Sequence, residues 1–271
     1  MNRLRNSKLS ERYKIINRNN RTLLHLCFFL VAFLFLAGQA LQAQQGNSMG
    51  NVVPDTASVL LQPSSHIFLM PTALPVGGGH GYVADYELFF PYAGVGINDM
   101  FSATGGMTLL PGAPIGSQVY TAMLKATLAN SDGIAFALAG NFLDISTANS
   151  YFHLYSVLTA SWDSTWISGA LYYRVTGPGG IAVVNAGSIF GSFRYNYSAL
   201  LGGALGFESP ISGRADMRLL GEIWDDDVSN ANNIVCMFGV RVRNEYLSAD
   251  FGFAYVHAPI PVPVMDFVFS W

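Results

Sequence analysis

From about Tyr82 onward, apolar and polar positions alternate in segments of eight to twelve residues, each bounded by turn-forming residues. Side chains of an extended strand point to its two faces in turn, so this period-two pattern predicts consecutive antiparallel strands. In LSADFGFAYVH (247–257), Leu247, Ala249, Phe251, Phe253 and Tyr255 share one face, and Ser248, Asp250, Gly252 and Ala254 the other. NIVCMFGVRVR (233–243) sets Ile234, Cys236, Phe238, Val240 and Val242 against Asn233, Met237, Gly239, Arg241 and Arg243. ADMRLLGEIWD (215–225) divides the same way, with Ala215, Met217, Leu219 and Ile223 against Asp216, Arg218, Glu222 and Trp224. The alternation runs to the last residue: in VPVMDFVFSW, Met265, Phe267, Phe269 and Trp271 lie on one face.

Twelve such strands are expected, near 80–89, 91–98, 101–110, 117–129, 133–144, 151–162, 165–176, 195–208, 214–225, 232–243, 246–257 and 263–271, within a range of ten to fourteen. Their connections alternate in length. RNEY, SPISG, DST, NSDG and IND are short; HAPIPVP, DDDVSNANN, DISTANS and LPGAPIGS are longer, and FFPY is a tight exception on the long side. Short turns at one end and long loops at the other mark an even-numbered transmembrane barrel with both termini in the periplasm. Facing water, twelve nearly charge-free apolar faces would expose far more than the few hundred square ångström a soluble monomer tolerates. Facing lipid, they belong to a closed sheet in which every backbone group is paired. The apolar faces are therefore assigned outward, against the alternatives of a ligand-holding soluble barrel and a soluble sandwich.

Composition before the barrel adds a leader. Arg3, Arg5, Lys8, Arg12, Lys14, Arg18 and Arg21 precede the apolar run LLHLCFFLVAFLFLAG, as in a secretory signal, with cleavage after Ala40 or Ala43; an uncleaved helical anchor is the alternative. Residues 1–43 are read as signal peptide, 44–78 as an N-terminal periplasmic or plug segment, and 79–271 as the barrel. The leader holds seven of the fourteen basic residues and one of the seventeen acidic ones, Glu11, which leaves a net charge of about −9 on the remainder. No basic patch survives to neutralise phosphates, so nucleic acid is excluded as a partner. Cys236 is the one cysteine beyond the leader, so no intramolecular disulfide is expected there.

The leader, the strand pattern and the terminal Phe267, Phe269 and Trp271 together resemble Gram-negative outer-membrane β-barrel proteins. The last strand is similar to the C-terminal signal that the barrel-assembly machinery engages, although Trp271 stands where the family usually ends on Phe. PTALPVGGGHGYVADYELFFPYAGVGINDMFSATGG (71–106) resembles the first barrel strands of poorly characterised, porin-like members. The resemblance implies an outer-membrane location and contact with lipid and lipopolysaccharide.

With the apolar faces outward, the charges assigned to the lumen are Asp85, Glu87, Lys125, Arg174, Glu208, Asp216, Arg218, Glu222, Arg241, Arg243, Asp250 and Asp266. Two readings compete. The charges either line an aqueous path for small polar or ionic solutes or pair with one another and fill a narrow barrel. The apolar, glycine-rich connection 177–194 either folds inward, with Phe190 or Phe193 at a constriction, or extends as a hairpin. Residues 44–78 are too apolar for a free tail; they either pack under or inside the barrel, or SHIFLMP (65–71) adds a strand. Asp225, Asp226 and Asp227 lack a complete calcium-ligand spacing, and GGGHG (77–81) lacks the strand-to-helix setting of a phosphate loop. His153 is the candidate for a lipid-modifying enzyme, but no nucleophile motif accompanies it. The expectation is a passive channel, without enzymatic activity, metal or cofactor, with a closed structural or interaction barrel as the rival.

Overall fold

In the computed structural model, the strands are β1 (Gly81–Tyr86), β2 (Phe90–Gly96), β3 (Phe101–Met107), β4 (Val119–Ser131), β5 (Ile134–Ile145), β6 (Ser150–Trp162), β7 (Thr165–Thr176), β8 (Ile181–Asn185), β9 (Ser192–Asn196), β10 (Leu201–Ile211), β11 (Arg214–Asp225), β12 (Ile234–Arg243), β13 (Leu247–Tyr255) and β14 (Val262–Ser270). Among the described residues, twelve of them close into an antiparallel barrel, while β8 and β9 form a separate two-stranded sheet. The structure describes residues 65–271 apart from 113, 116–117, 132, 146–149, 163, 178–180, 186–191, 197–199, 213, 226, 228–233 and 256–260. The expected signal peptide, 1–43, lies outside the described residues.

The last strand closes the ring. β14 pairs with β1 from Tyr82↔Ser270 to Tyr86↔Asp266, and Gly81 and Trp271 exchange backbone hydrogen bonds of 3.2 and 3.0 Å beyond that register. The aromatic terminus is thus part of the seam, with no unpaired sheet edge left there. The end of the barrel where β1 starts and β14 finishes is called here the terminus end; the opposite end is the loop end. Turns at the terminus end are built by local chemistry. Asn98 Oδ1 accepts from the N–H groups of Met100 and Phe101 (2.9 and 2.7 Å), and Asn244 Oδ1 accepts from those of Tyr246 and Leu247 (3.0 and 2.8 Å). Side-chain turns of this type are the reason Asn is common between strands.

The first and eighth barrel strands differ from expectation. β1 ends at Tyr86 rather than near 89, because Tyr86 pairs with Phe90 and residues 87–89 form the turn, with Glu87 and Leu88 both at φ 60°. The strand expected at 195–208 is β10 at 201–211, since 192–196 is taken up by β9. The separate hairpin of β8 and β9 therefore starts within the expected 177–194 connection and runs two residues past it, in register from Ile181↔Asn196 to Asn185↔Ser192.

Outward positions are apolar and exposed: Leu124, Leu138, Phe142, Leu154, Phe238, Phe251, Phe253 and Phe267 lie on this surface. Many inward positions are small or polar, with Leu220, Met237, Val264 and several tyrosines among them. The buried core lies inside the ring, where Ala135, Ala137, Val157, Ala170 and Ala204 pack with Met70, Ala73 and Leu74. A second cluster packs Ile67 and Phe68 against Leu220, Met237, Ala254 and Val264. Phe251→Arg places a charge on the outer face and is expected to cost about 2–4 kcal/mol for protein folded into phospholipid vesicles, measured by urea titration. A loss no greater than that of Phe251→Ala would show that this face does not meet hydrocarbon.

Candidate functional site

Residues 65–76 run through the barrel interior before the chain enters β1. Their start is a tight reversal: Ile67 N–H donates to Met70 O and Thr72 N–H to Ser65 O, both at 2.9 Å, and His66 bridges Pro71. SHIFLMP therefore adds no strand to the wall. The reversal fits because the wall opposite is glycine. A Cβ on Gly206 would lie 2.5 Å from Ile67 Cδ1 and 3.3 Å from Met70 Sδ, and one on Gly252 would lie 3.0 Å from Phe68 Cζ.

The turn wraps one carboxylate. Glu222 Oε2 accepts from the backbone N–H groups of Phe68 (2.9 Å), Leu69 (3.2 Å) and Met70 (3.1 Å), while Trp224 Nε1 donates to Oε1. Successive N–H groups converging in a turn form an anion-binding concavity, and here the anion is supplied by the wall. Glu222 is 2 % exposed, so these bonds act away from bulk water.

Toward the terminus end, a chain of charges crosses β10 to β13. Arg241 grips Asp250 in a bidentate pair (Nε–Oδ1 2.7 Å, NH2–Oδ2 2.6 Å) and reaches Glu208 Oε2 at 2.9 Å. Glu208 Oε1 is also ion-paired with Arg218 Nε at 2.6 Å, with Arg243 NH1 at 3.7 Å. Arg241 further donates to the carbonyls of Ile67 (2.6 Å) and His66 (3.4 Å), tying the segment to the same cluster. Beside it, Tyr92 OH donates to Asp266 Oδ2 at 2.8 Å, and His66 Nε2 lies 3.3 Å from that oxygen.

The second half of the segment is fixed to the opposite wall. Lys125 Nζ donates to the carbonyls of Thr72 (2.8 Å) and Leu74 (2.6 Å), Thr127 Oγ1 to Ala73 O (2.9 Å), and Ala73 N–H to Thr159 Oγ1 (2.8 Å). Side chains of both walls thus pair with much of the backbone of a segment that joins no strand of the barrel, in line with the demand of buried backbone groups for partners.

Of the charges assigned to the lumen, Lys125, Arg174, Glu208, Arg218, Glu222, Arg241, Asp250 and Asp266 are buried on the inner face, and Arg243 lies at its terminus-end edge. Asp216 is half-exposed at that end, paired with Arg214 at 3.0 Å. Asp85 is a correction. Tyr82, Ala84 and Tyr86 take the inner positions of β1, so Asp85 shares the outer face with Val83, opposite Phe267. Glu87 is a second correction: it sits in the β1–β2 turn, where its N–H donates to Met265 O and its Oε1 accepts from Met265 N–H, both at 2.9 Å, extending the seam by a side chain. Burial there raises the Glu87 carboxyl above its usual pKa, against the opposing Met265 hydrogen bond. Phe190 lies outside the described residues, and Phe193 is placed in β9 opposite Val184. Phe267, Phe269 and Trp271 are exposed on the outer surface. Asp226 lies outside the described residues; Asp227 N–H donates to Asp225 Oδ1 at 3.1 Å. His153 packs among Tyr151, Tyr155 and Tyr172, with ring centroids at 6.2 Å in each case.

No family model matches the chain, and no curated protein does. Among solved structures it is similar to the KdgM porin, with a TM-score of 0.45, 8% identity, and coverage of 71% of this chain and 98% of that one. It is also similar to a bacterial polysaccharide outer membrane secretin (TM-score 0.37, 11% identity, 67% of this chain and 69% of that one) and to CdiB from Acinetobacter baumannii (0.33, 9%, 70% and 51%). The architecture rests on the chain's own strand pairing: a closed, twelve-stranded antiparallel β-barrel with residues 65–76 inside it.

Proposed function

We propose that this protein is an outer-membrane channel for small polar or ionic solutes, closed at rest by its own residues 65–76. The outward apolar belt supports insertion in a bilayer, and the alternation of short and long connections supports a periplasmic terminus end. Phe267, Phe269 and Trp271 act as the assembly signal in this reading, and the outer surface meets lipid and lipopolysaccharide. The single observation that carries the closed state is the seating of the segment through hydrogen bonds to Glu222, Arg241, Lys125, Thr127 and Thr159. These bonds can be exchanged for water on opening, while the apolar contacts of Ile67, Phe68, Met70 and Leu74 favour the seated state at rest.

One observation favours the closed structural barrel instead. Glu208, Arg218, Arg241 and Asp250 all belong to the wall, so their ion pairs persist when the segment leaves. Single-channel recording separates the readings. Gly206→Leu fills the space under Ile67 without removing a charge and is expected to convert rare openings into steady conductance. A folded Gly206→Leu protein as silent as the parent would favour the structural barrel.

A further inference from the structure

A cavity of about 150 Å³ lies between residues 65–76 and the wall of β1–β6. Among the described residues its polar lining is rich in donors and contains no carboxylate. Lys125 is 2 % exposed, and the carbonyls of Thr72 and Leu74 take two of its three N–H groups; among the described residues the third has no acceptor. Ser102, directly opposite Lys125 in the β3–β4 register, is buried, and its hydroxyl has no hydrogen-bond partner among the described residues. Asn141 spends its carbonyl oxygen on Thr121 Oγ1 at 2.9 Å, which leaves its amide N–H groups to the cavity. The remaining lining includes Phe90, Met123 and Trp224.

A buried ammonium with an unspent N–H, flanked by a hydroxyl and an amide, is a site for an anion. Two features narrow the class. Three neighbouring donors suit the two oxygens of a carboxylate, and the aromatic and thioether walls suit a short apolar body rather than a hydrated inorganic ion. We infer that this cavity binds a small monocarboxylate with an apolar body, its carboxylate at Lys125, Ser102 and Asn141. The inference rests on the seated segment of the channel reading, since Phe68, Leu69 and Pro71 form one side of the cavity. It does not rest on conduction.

The test is ¹⁹F NMR titration of the full chain, refolded in detergent, with 4-fluorobenzoate as probe and 4-fluorobenzamide as its uncharged counterpart. Folding of every variant is checked by the difference in gel migration between heated and unheated samples. Saturable binding of the acid, weakened about 10-fold or more by Lys125→Met, is expected, with no saturable binding of the amide. Ser102→Leu keeps the ammonium but fills the cavity, so it should also abolish binding and serves if Lys125→Met does not fold. Absence of saturable binding to the parent protein, equal binding of acid and amide, or undiminished binding by folded Ser102→Leu would overturn the site. Conductance of Gly206→Leu is recorded in parallel. Steady openings without parental binding would reject the cavity alone, and binding without openings would reject the channel alone.

Discussion

Glu222→Ala is expected to raise the open probability of the barrel in a planar bilayer about 100-fold. The substitution removes the one carboxylate that accepts from Phe68, Leu69 and Met70 and from the Trp224 indole. Each buried donor left without an acceptor costs about 1–3 kcal/mol. Water entering the lumen restores some of these bonds, so a net loss near 3 kcal/mol is the reasonable expectation, and that is about two decades in a two-state equilibrium. Glu222→Gln should fall between parent and alanine, because its amide oxygen still serves the turn while its NH₂ opposes the Trp224 N–H. Barrel stability in urea should change little in either variant, since Glu222 lies opposite Gly206 and Met237 rather than in the wall's chain of ion pairs. A folded Glu222→Ala protein with parental conductance would show that the segment is seated by something else.

Arg241→Met is expected to be the most destabilising single substitution in the lumen. It strips Asp250 of a bidentate partner, removes one partner of Glu208, and releases the carbonyls of Ile67 and His66. Breaking a buried pair from one side costs about 3–5 kcal/mol, mostly because the remaining charge stays buried without compensation. The urea midpoint of refolded protein should drop accordingly. The double variant Arg241→Met with Asp250→Leu should recover a large part of that loss, because Glu208 keeps Arg218 at 2.6 Å. If the double variant is no more stable than Arg241→Met, the cost lies in lost contacts with the segment rather than in the stranded carboxylate. The two substitutions thus separate gating from wall stability.

Strand pattern and lumen charge were legible in the sequence for the same reason: in a closed sheet one parity decides both. Arg241 and Asp250 are direct cross-strand partners, and each had been placed by alternation alone. The pattern failed at β1, where inward positions carry Tyr82 and Tyr86 and an outward one carries Asp85. Six residues near a rim, ending in a tight turn, give too short a run for polarity to reveal the face. The lumen segment was harder to see because its grip is mostly backbone: the groups that meet Glu222, Lys125 and Thr127 are N–H and C=O, which every residue carries. Two signals pointed toward it. Inward positions such as Ala135, Ala137, Gly206 and Gly252 are too small to fill a twelve-stranded barrel, and Glu222 has no opposite charge directly across either neighbouring strand. Together they imply that another part of the chain supplies both volume and donors. His66 and Tyr92 were missed as partners of Asp266 because nothing in residue spacing links positions separated by 200 and 174 residues.

The most direct measurement is single-channel recording of two refolded proteins side by side, the full chain and one lacking residues 65–76, at equal ionic strength and with insertion verified by protease protection. The full chain is expected to stay closed apart from rare, brief openings, and the deleted form to conduct steadily with an ion preference that shifts when Glu222 or Arg241 is neutralised. Equal silence from both inserted proteins would contradict the account and leave a barrel sealed by its own wall.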